Sequence, residues 1–163
     1  MSYEAYAALA PRCRGVRLAG GEAAHNVRMA RHTMAFGKVG FIQIDCGRIG
    51  GIGPAKQVAD IAVASGVTYV NHTFTSDLAL AASLQPFAGL ADHRICEFPV
   101  HTRPVAKAFC HGKLWPDADG QLHLPHGPGL GIDVDTDGIR RYLQNVEIRV
   151  GGRTLYRTPD PAA

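Results

Sequence analysis

Four ionisable residues recur at nearly even intervals along the first hundred positions: Glu22, Asp45, His72 and Glu97, separated by 23, 27 and 25 residues. Each follows a short apolar stretch: VRLAGGE ends in Glu22, FIQID in Asp45, VTYVNH in His72 and RICE in Glu97. A histidine whose second ring nitrogen is held by a carboxylate has a fixed tautomer and can serve as a general base near neutral pH. Asp45 and His72 are candidates for that pair. Glu22 is a candidate ligand for a hard cation such as Mg²⁺, which prefers carboxylate oxygens. Glu97 is placed to share or donate a proton to a developing oxyanion, a role that needs the protonated acid. Each residue also has a plainer use. Glu22 could be a solvated acid, Asp45 a cap for the turn at Gly47, His72 a structural hydrogen-bond partner, and Glu97 a surface partner of Arg94 or Arg103. Four such groups closing four successive apolar stretches favour the chemical reading over the plain one.

The spacing asks for a repeating element that returns each residue to the same place. Val16–Ala19 reads as a strand, followed by a helix from Asn26 to Phe36 with Asn26 as N-cap and Gly37 just past its end. Phe41–Ile44 is the next strand. The turn GRIGGIGP leads into a helix with Pro54 at its first position and Val58, Ala59, Ala62 and Val63 on one face. Gly66 closes that helix, and Val67–Val70 is a third strand. Ser76 caps a helix from Asp77 to Gln85, and Arg94–Cys96 is a fourth strand. An eight-unit barrel spends about 30 residues on each strand and helix. The rhythm therefore predicts an α/β fold: half of a TIM-type (β/α) barrel of about four βα units over residues 1–110. Right-handed crossovers would put all four strand ends on one rim. Residues 111–163 are expected to form an extension packed on the barrel. It comprises a Gly/Pro-rich loop to Gly131 with a short strand at Gln121–Leu124, a short helix at Thr136–Leu143, and a hairpin of Val146–Val150 with Thr154–Tyr156 around Gly151-Gly152. A helix over Tyr3–Ala10 is stopped by Pro11, and Thr158–Ala163 is expected to fray.

Composition narrows the partners. The apolar fraction of 46% and charged fraction of 19% are those of a soluble globular protein. No apolar run approaches the roughly 20 residues of a membrane span. A net charge of +3 from 17 basic and 14 acidic residues is too small and too scattered to argue for nucleic acid. MSYEAYAALAPR has an early acid and lacks the basic–apolar–small order of a leader, so a cytoplasmic location is expected. Cys13, Cys46, Cys96 and Cys110 form no CxxC pair and read as reduced packing thiols. His25, His32, His93, His101, His111, His123 and His126 have no ligand spacing and read as surface or packing residues, and Trp115 as a loop anchor buried by its ring.

Five motifs together resemble a family. QIDCGRIGGI (Gln43–Ile52) is similar to the sixth-strand motif of the mandelate racemase/muconate lactonising enzyme branch of the enolase superfamily. AGGE (Ala19–Glu22) resembles its fifth-strand motif, VNHTF (Val70–Phe74) its seventh and ICEFP (Ile95–Pro99) its eighth, and LPHGPGLGID, from Leu124, resembles the signature after the barrel. The resemblance implies abstraction of a proton next to a carboxylate, assisted by Mg²⁺. It implies His72 as base or acid, Asp45 as its orienter and Glu22 as a metal ligand. Glu97 would stabilise the substrate carboxylate as charge develops. An acid-sugar dehydratase acting on a small sugar acid is the activity it most favours. A racemase or epimerase would use the same residues. His126 stands where the signature is expected to carry an acid or a small polar residue.

The family pattern has a capping domain and four further βα units ahead of the fifth strand. The chain is accordingly expected to be the C-terminal half of such an enzyme. It would act as a homo-oligomer or with a missing N-terminal half, and have little activity alone. Two alternatives stand beside this: a non-catalytic remnant that folds only against a partner chain, and a nucleotide-binding α/β domain suggested by GRIGGIG opening a helix.

Overall fold

Two short strands, Phe41–Ile44 (β2) and Thr68–Asn71 (β3), form the centre of the computed structural model, which describes residues 2–91 and 95–159. They run parallel, with Phe41 opposite Thr68 and Ile44 opposite Asn71. Ala19–Gly20 (β1) pairs in parallel with the other side of β2, giving the order β1-β2-β3. β1 is shorter and later than the expected Val16–Ala19. The Leu18 carbonyl accepts from both Gly40 N–H (2.9 Å) and Phe41 N–H (3.0 Å), and the ladder begins only there.

The helices follow the sequence closely. Helix α1 (Tyr3–Leu9) packs on α2 (Val27–Gly37), which connects β1 to β2. Asn26 caps α2 by accepting from Met29 N–H at 2.9 Å, an interaction worth about 1 kcal/mol. Gly37 is still helical, and Lys38 takes the left-handed turn at φ 56° in its place.

The GRIGGIG segment is not an open phosphate loop. Cys46–Ile49 forms one helical turn (α3), and α4 (Ile52–Ala64) then begins two residues before Pro54. Ala55, Val58, Ala59 and Ala62 of α4 are wholly buried against Ile42, Ile44 and Tyr69. Small residues on the helix let it lie close to the sheet. After β3, Ser76 caps α5 (Asp77–Leu84) through Ala79 N–H at 3.3 Å, and a 3₁₀ turn at Gln85–Phe87 follows.

No fourth strand joins the parallel sheet among the described residues. Arg94 lies outside them, and Ile95–Cys96 is irregular. The buried Asn71 side chain does the work of a ladder. Its Nδ2 donates to the Glu97 carbonyl (3.1 Å) and its Oδ1 accepts from Glu97 N–H (2.8 Å). The same Nδ2 also donates to Ser83 Oγ of α5 at 2.9 Å. One amide thus docks the 97 segment where strand pairing was expected.

Beyond α6 (Pro104–Lys107), the chain returns to residues 109–111 through His111 N–H to Asp133 O (3.0 Å) and Asp135 N–H to Phe109 O (2.9 Å). Asp135 caps α7 (Thr136–Arg140), which stops short of the expected Leu143. Gln121–Leu124 is not a strand. Asp117 gathers this loop by accepting from the N–H groups of Asp119 and Gln121, both at 2.9 Å. Trp115 is 63% exposed, with its ring edge-on to Phe98, and is not the buried anchor expected, because no other element covers its outer face among the described residues. The hairpin Glu147–Val150 (β4) and Arg153–Arg157 (β5) forms as expected, but every one of its residues is exposed. No helix among the described residues is long and apolar enough to cross a membrane.

Candidate active site at the strand ends

Adjacent parallel strands put their last residues side by side. His72 N–H donates to Ile44 O at 2.9 Å, which extends the β2–β3 ladder by one step and fixes the histidine backbone beside Asp45. Asp45 then uses its two oxygens separately. Oδ1 caps α3 by accepting from Arg48 N–H (3.1 Å), and Oδ2 lies 3.0 Å from His72 Nδ1. The plain use of Asp45 and the chemical one are both realised. A capped carboxylate cannot rotate freely, so the imidazole orientation is set by the fold.

The opposite ring nitrogen, Nε2, lies 3.0 Å from Glu22 Oε2. Gly21 makes this possible. Its φ is 115°, and a Cβ there would lie 2.5 Å from Ile42 Cδ1 and 2.8 Å from the Gln43 carbonyl, so only glycine lets the chain pass this close to β2. A neutral ring can donate to one of the two carboxylates, and a doubly protonated ring to both. The side chains differ in freedom: Asp45 is 16% exposed, Glu22 52%. Asp45 is the fixed partner, and Glu22 the one that can yield Nε2 to another group.

Glu22, Asp45 and His72 are therefore brought together. Glu97 is held beside β3 by Asn71, yet among the described residues its carboxylate makes no hydrogen bond or ion pair with the other three. Its Oε2 is buried without a hydrogen-bond partner among the described residues. An acceptor in that state is costly unless protonated or met by a ligand.

Three further residues shape the site. Arg48 Nη1 donates to the Glu22 carbonyl at 3.3 Å, and its guanidinium carbon stands 5.7 Å from the Phe74 ring centre. The Phe74 ring packs edge-on against His72 at 5.3 Å. Asp45, Arg48, His72, Thr73 and Phe74 line a cavity of about 440 Å³. A larger groove of about 1010 Å³ between α2 and α4 lies at the other end of the strands, beside Val39 and Val67 just ahead of β2 and β3. Sequence reasoning left Arg48 and Asn71 without roles of their own. The available signals were a cation three residues after the orienting acid and an amide at the end of an otherwise apolar strand. Cys46, next to Asp45, stays a packing thiol: burial and the Asp45 charge push it up to about 11, and Sγ donates to Ala82 O.

The donor set does not by itself fit a magnesium ion. No group of three His, Cys, Asp or Glu side chains among the described residues could hold a metal. Glu22 offers one mobile carboxylate where Mg²⁺ wants near-octahedral oxygen ligation and dehydrates reluctantly.

The chain matches known proteins over most of its length. The family described as enolase C-terminal domain-like matches residues 1–138. A D-galactarolactone cycloisomerase of Agrobacterium fabrum is 27% identical over 154 residues, covering 90% of this chain and 37% of that protein. A D-galactonate dehydratase family member of Streptomyces bingchenggensis is 31% identical over 122 residues, covering 74% and 29%. The crystal structure of a predicted mandelate racemase from Rhodobacter sphaeroides superposes with a TM-score of 0.91 at 59% identity, over 97% of this chain and 40% of that one. The chain thus spans about two fifths or less of the length of these relatives. It belongs to the enolase C-terminal domain-like family and corresponds to the C-terminal part of the mandelate racemase/muconate lactonising proteins.

Proposed function

We propose that this chain is the base-bearing C-terminal portion of an enzyme that removes the proton α to a carboxylate, in the first place an acid-sugar dehydratase. The observation that carries this is His72, which lines the cavity, is held through Nδ1 by the capped Asp45, and meets at Nε2 only the half-exposed Glu22 carboxylate. Once Glu22 moves aside, Nε2 takes the α-proton and the C–H electron pair passes into the enediolate. Collapse of the enediolate expels the β-hydroxyl, which leaves as water with the proton that His72 returns. Asp45 stabilises the imidazolium between the two transfers. Glu97, with its unpaired buried oxygen, is assigned to the substrate carboxylate as charge develops. Residues 1–110 would carry this chemistry as half of a (β/α) barrel, with 111–163 as an extension.

Mg²⁺ is assigned to the assembled enzyme, with Glu22 as one ligand and the other ligands coming from outside this chain. The N-terminal half or a second copy is the expected partner, and the cytoplasm the expected location. A second reading, racemisation or epimerisation, is favoured by the 59% identity to a protein described as a predicted mandelate racemase. In that case a donor on the opposite face, supplied from outside this chain, returns a proton to carbon, because His72 reprotonating its own face would restore the starting configuration.

The test joins this chain to the N-terminal segment of the Rhodobacter relative and follows exchange of substrate α-protons in D₂O with Mg²⁺ and a panel of sugar acids. His72→Asn should lower exchange by roughly 10²–10⁴-fold, the usual worth of a general base. Undiminished exchange would remove His72 from that role. Product mass separates loss of water from inversion.

A further inference from the structure

We infer that Arg48 binds a second carboxylate of the substrate, remote from the carbon that His72 deprotonates, so that the site is built for a sugar diacid in preference to a monoacid. This rests on the assignment of His72 as the base. Arg48 is fixed at both ends. Its backbone N–H is held by Asp45 Oδ1 at 3.1 Å, the carboxylate that also orients His72. Its guanidinium is held by the Glu22 carbonyl at 3.3 Å and by the face of Phe74 at 5.7 Å. Because Phe74 also packs on His72, guanidinium and imidazole share one wall of the 440 Å³ cavity.

The geometry separates their tasks. Glu22 meets His72 through its carboxylate and Arg48 through its main-chain carbonyl. The imidazole and the guanidinium therefore stand at opposite ends of one glutamate residue. The carboxylate next to the reacting carbon must lie near Nε2. A group held by Arg48 lies several bonds further along the substrate. Arg48 is the one permanent cation among the residues lining the cavity, and no acidic side chain among the described residues pairs with it. A guanidinium tied to a single carbonyl keeps most of its five donors uncommitted, and its fork matches a carboxylate in two parallel hydrogen bonds. Prior anchoring by Phe74 and Glu22 lowers the ordering cost of binding. A purely structural staple between α3 and the loop after β1 would need one donor and no charge.

The test titrates the isotopically labelled full chain with galactarate and with D-galactonate at matched ionic strength, observing the Arg48 side-chain N–H signals by NMR. Galactarate should bind at least tenfold more tightly than D-galactonate and shift those signals. Arg48→Gln should abolish the preference, and Arg48→Lys, which keeps the charge without the fork, should retain part of it. Circular dichroism confirms that both variants fold. Equal affinity of the native chain for the two acids, binding of neither, or a preference that survives Arg48→Gln would each overturn the inference. The role of His72 is read separately, as α-proton exchange, so either assignment can fail while the other stands.

Discussion

Strands β2 and β3 and the hairpin β4–β5 all carry β-forming apolar residues, yet these end in opposite environments. FIQI and TYVN place Ile42, Ile44 and Tyr69 completely out of solvent, whereas EIRV and RTLYR leave Ile148, Val150, Leu155 and Tyr156 about half exposed or more. The hairpin strands carry Glu147, Arg149, Arg153 and Arg157, where β2 and β3 carry no charged residue. Cover differs to match: α4 lays Val58, Ala59 and Ala62 over β2 and β3, and no helix among the described residues covers the hairpin. The ties across the hairpin are polar and solvated, such as Thr154 Oγ1 to Glu147 Oε1 at 2.7 Å. Exposed ties of this kind contribute a few tenths of a kcal/mol. A base that must keep its orientation to a fraction of an ångström belongs on the covered sheet, and both His72 and Asp45 are there.

The sharpest way to break this contrast is a pair of equal truncations. Ile44→Ala should cost about 2–5 kcal/mol in a denaturant titration, whereas Ile148→Ala should stay within about 0.5 kcal/mol. Comparable losses would mean that the hairpin is covered in solution. A second prediction uses pH. Burial pushes the Cys46 thiol from 9.0 to about 11, and pushes the Tyr69 phenol up as well. A folded-state value above the unfolded one means that the unfolded chain loses its proton first. Stability is then fully present below pH 9 and falls between about pH 9 and 11, by up to about 3 kcal/mol for Cys46 alone. Cys46→Ala should flatten the stability–pH curve in that window; an unchanged slope would contradict the burial argument.

Asn71→Ala should cost about 1–3 kcal/mol by leaving Glu97 N–H and C=O without their partner. It should also speed hydrogen exchange at the Glu97 amide far more than at Ile44. Uniform acceleration would mean that Asn71 supports the whole sheet and not the 97 segment. The smallest effect is expected for Glu147→Gln, a few tenths of a kcal/mol at low salt and less at high salt, since its contacts with Arg157 and Thr154 are solvated.

The same contrast explains what was legible in the sequence. Strand β2 was read to the residue because Gly40 and Asp45 bound an unbroken apolar run, and the caps Asn26 and Ser76 because their side chains act within three residues. Asp45 and His72 followed from their positions at strand ends. What escaped depended on distant partners. The amide of Asn71 replaces a strand ladder 26 residues away, and no local pattern announces it. Arg48 is defined by a carbonyl and an aromatic face each 26 residues distant. The Trp115 ring follows ordinary apolar preference, but burial needed a covering element that the loop lacks among the described residues.

The central claim is that Asp45 fixes the ring of His72, and proton-coupled ¹⁵N spectra of the imidazole test it most directly. In the native chain, His72 Nδ1 should carry a slowly exchanging proton bonded to Asp45. Asp45→Ala should remove that signal while leaving the sheet amide resonances of Ile42 and Tyr69 in place. An Nδ1 proton that survives Asp45→Ala unchanged, or an Nδ1 that carries no proton in the native chain, would contradict the account.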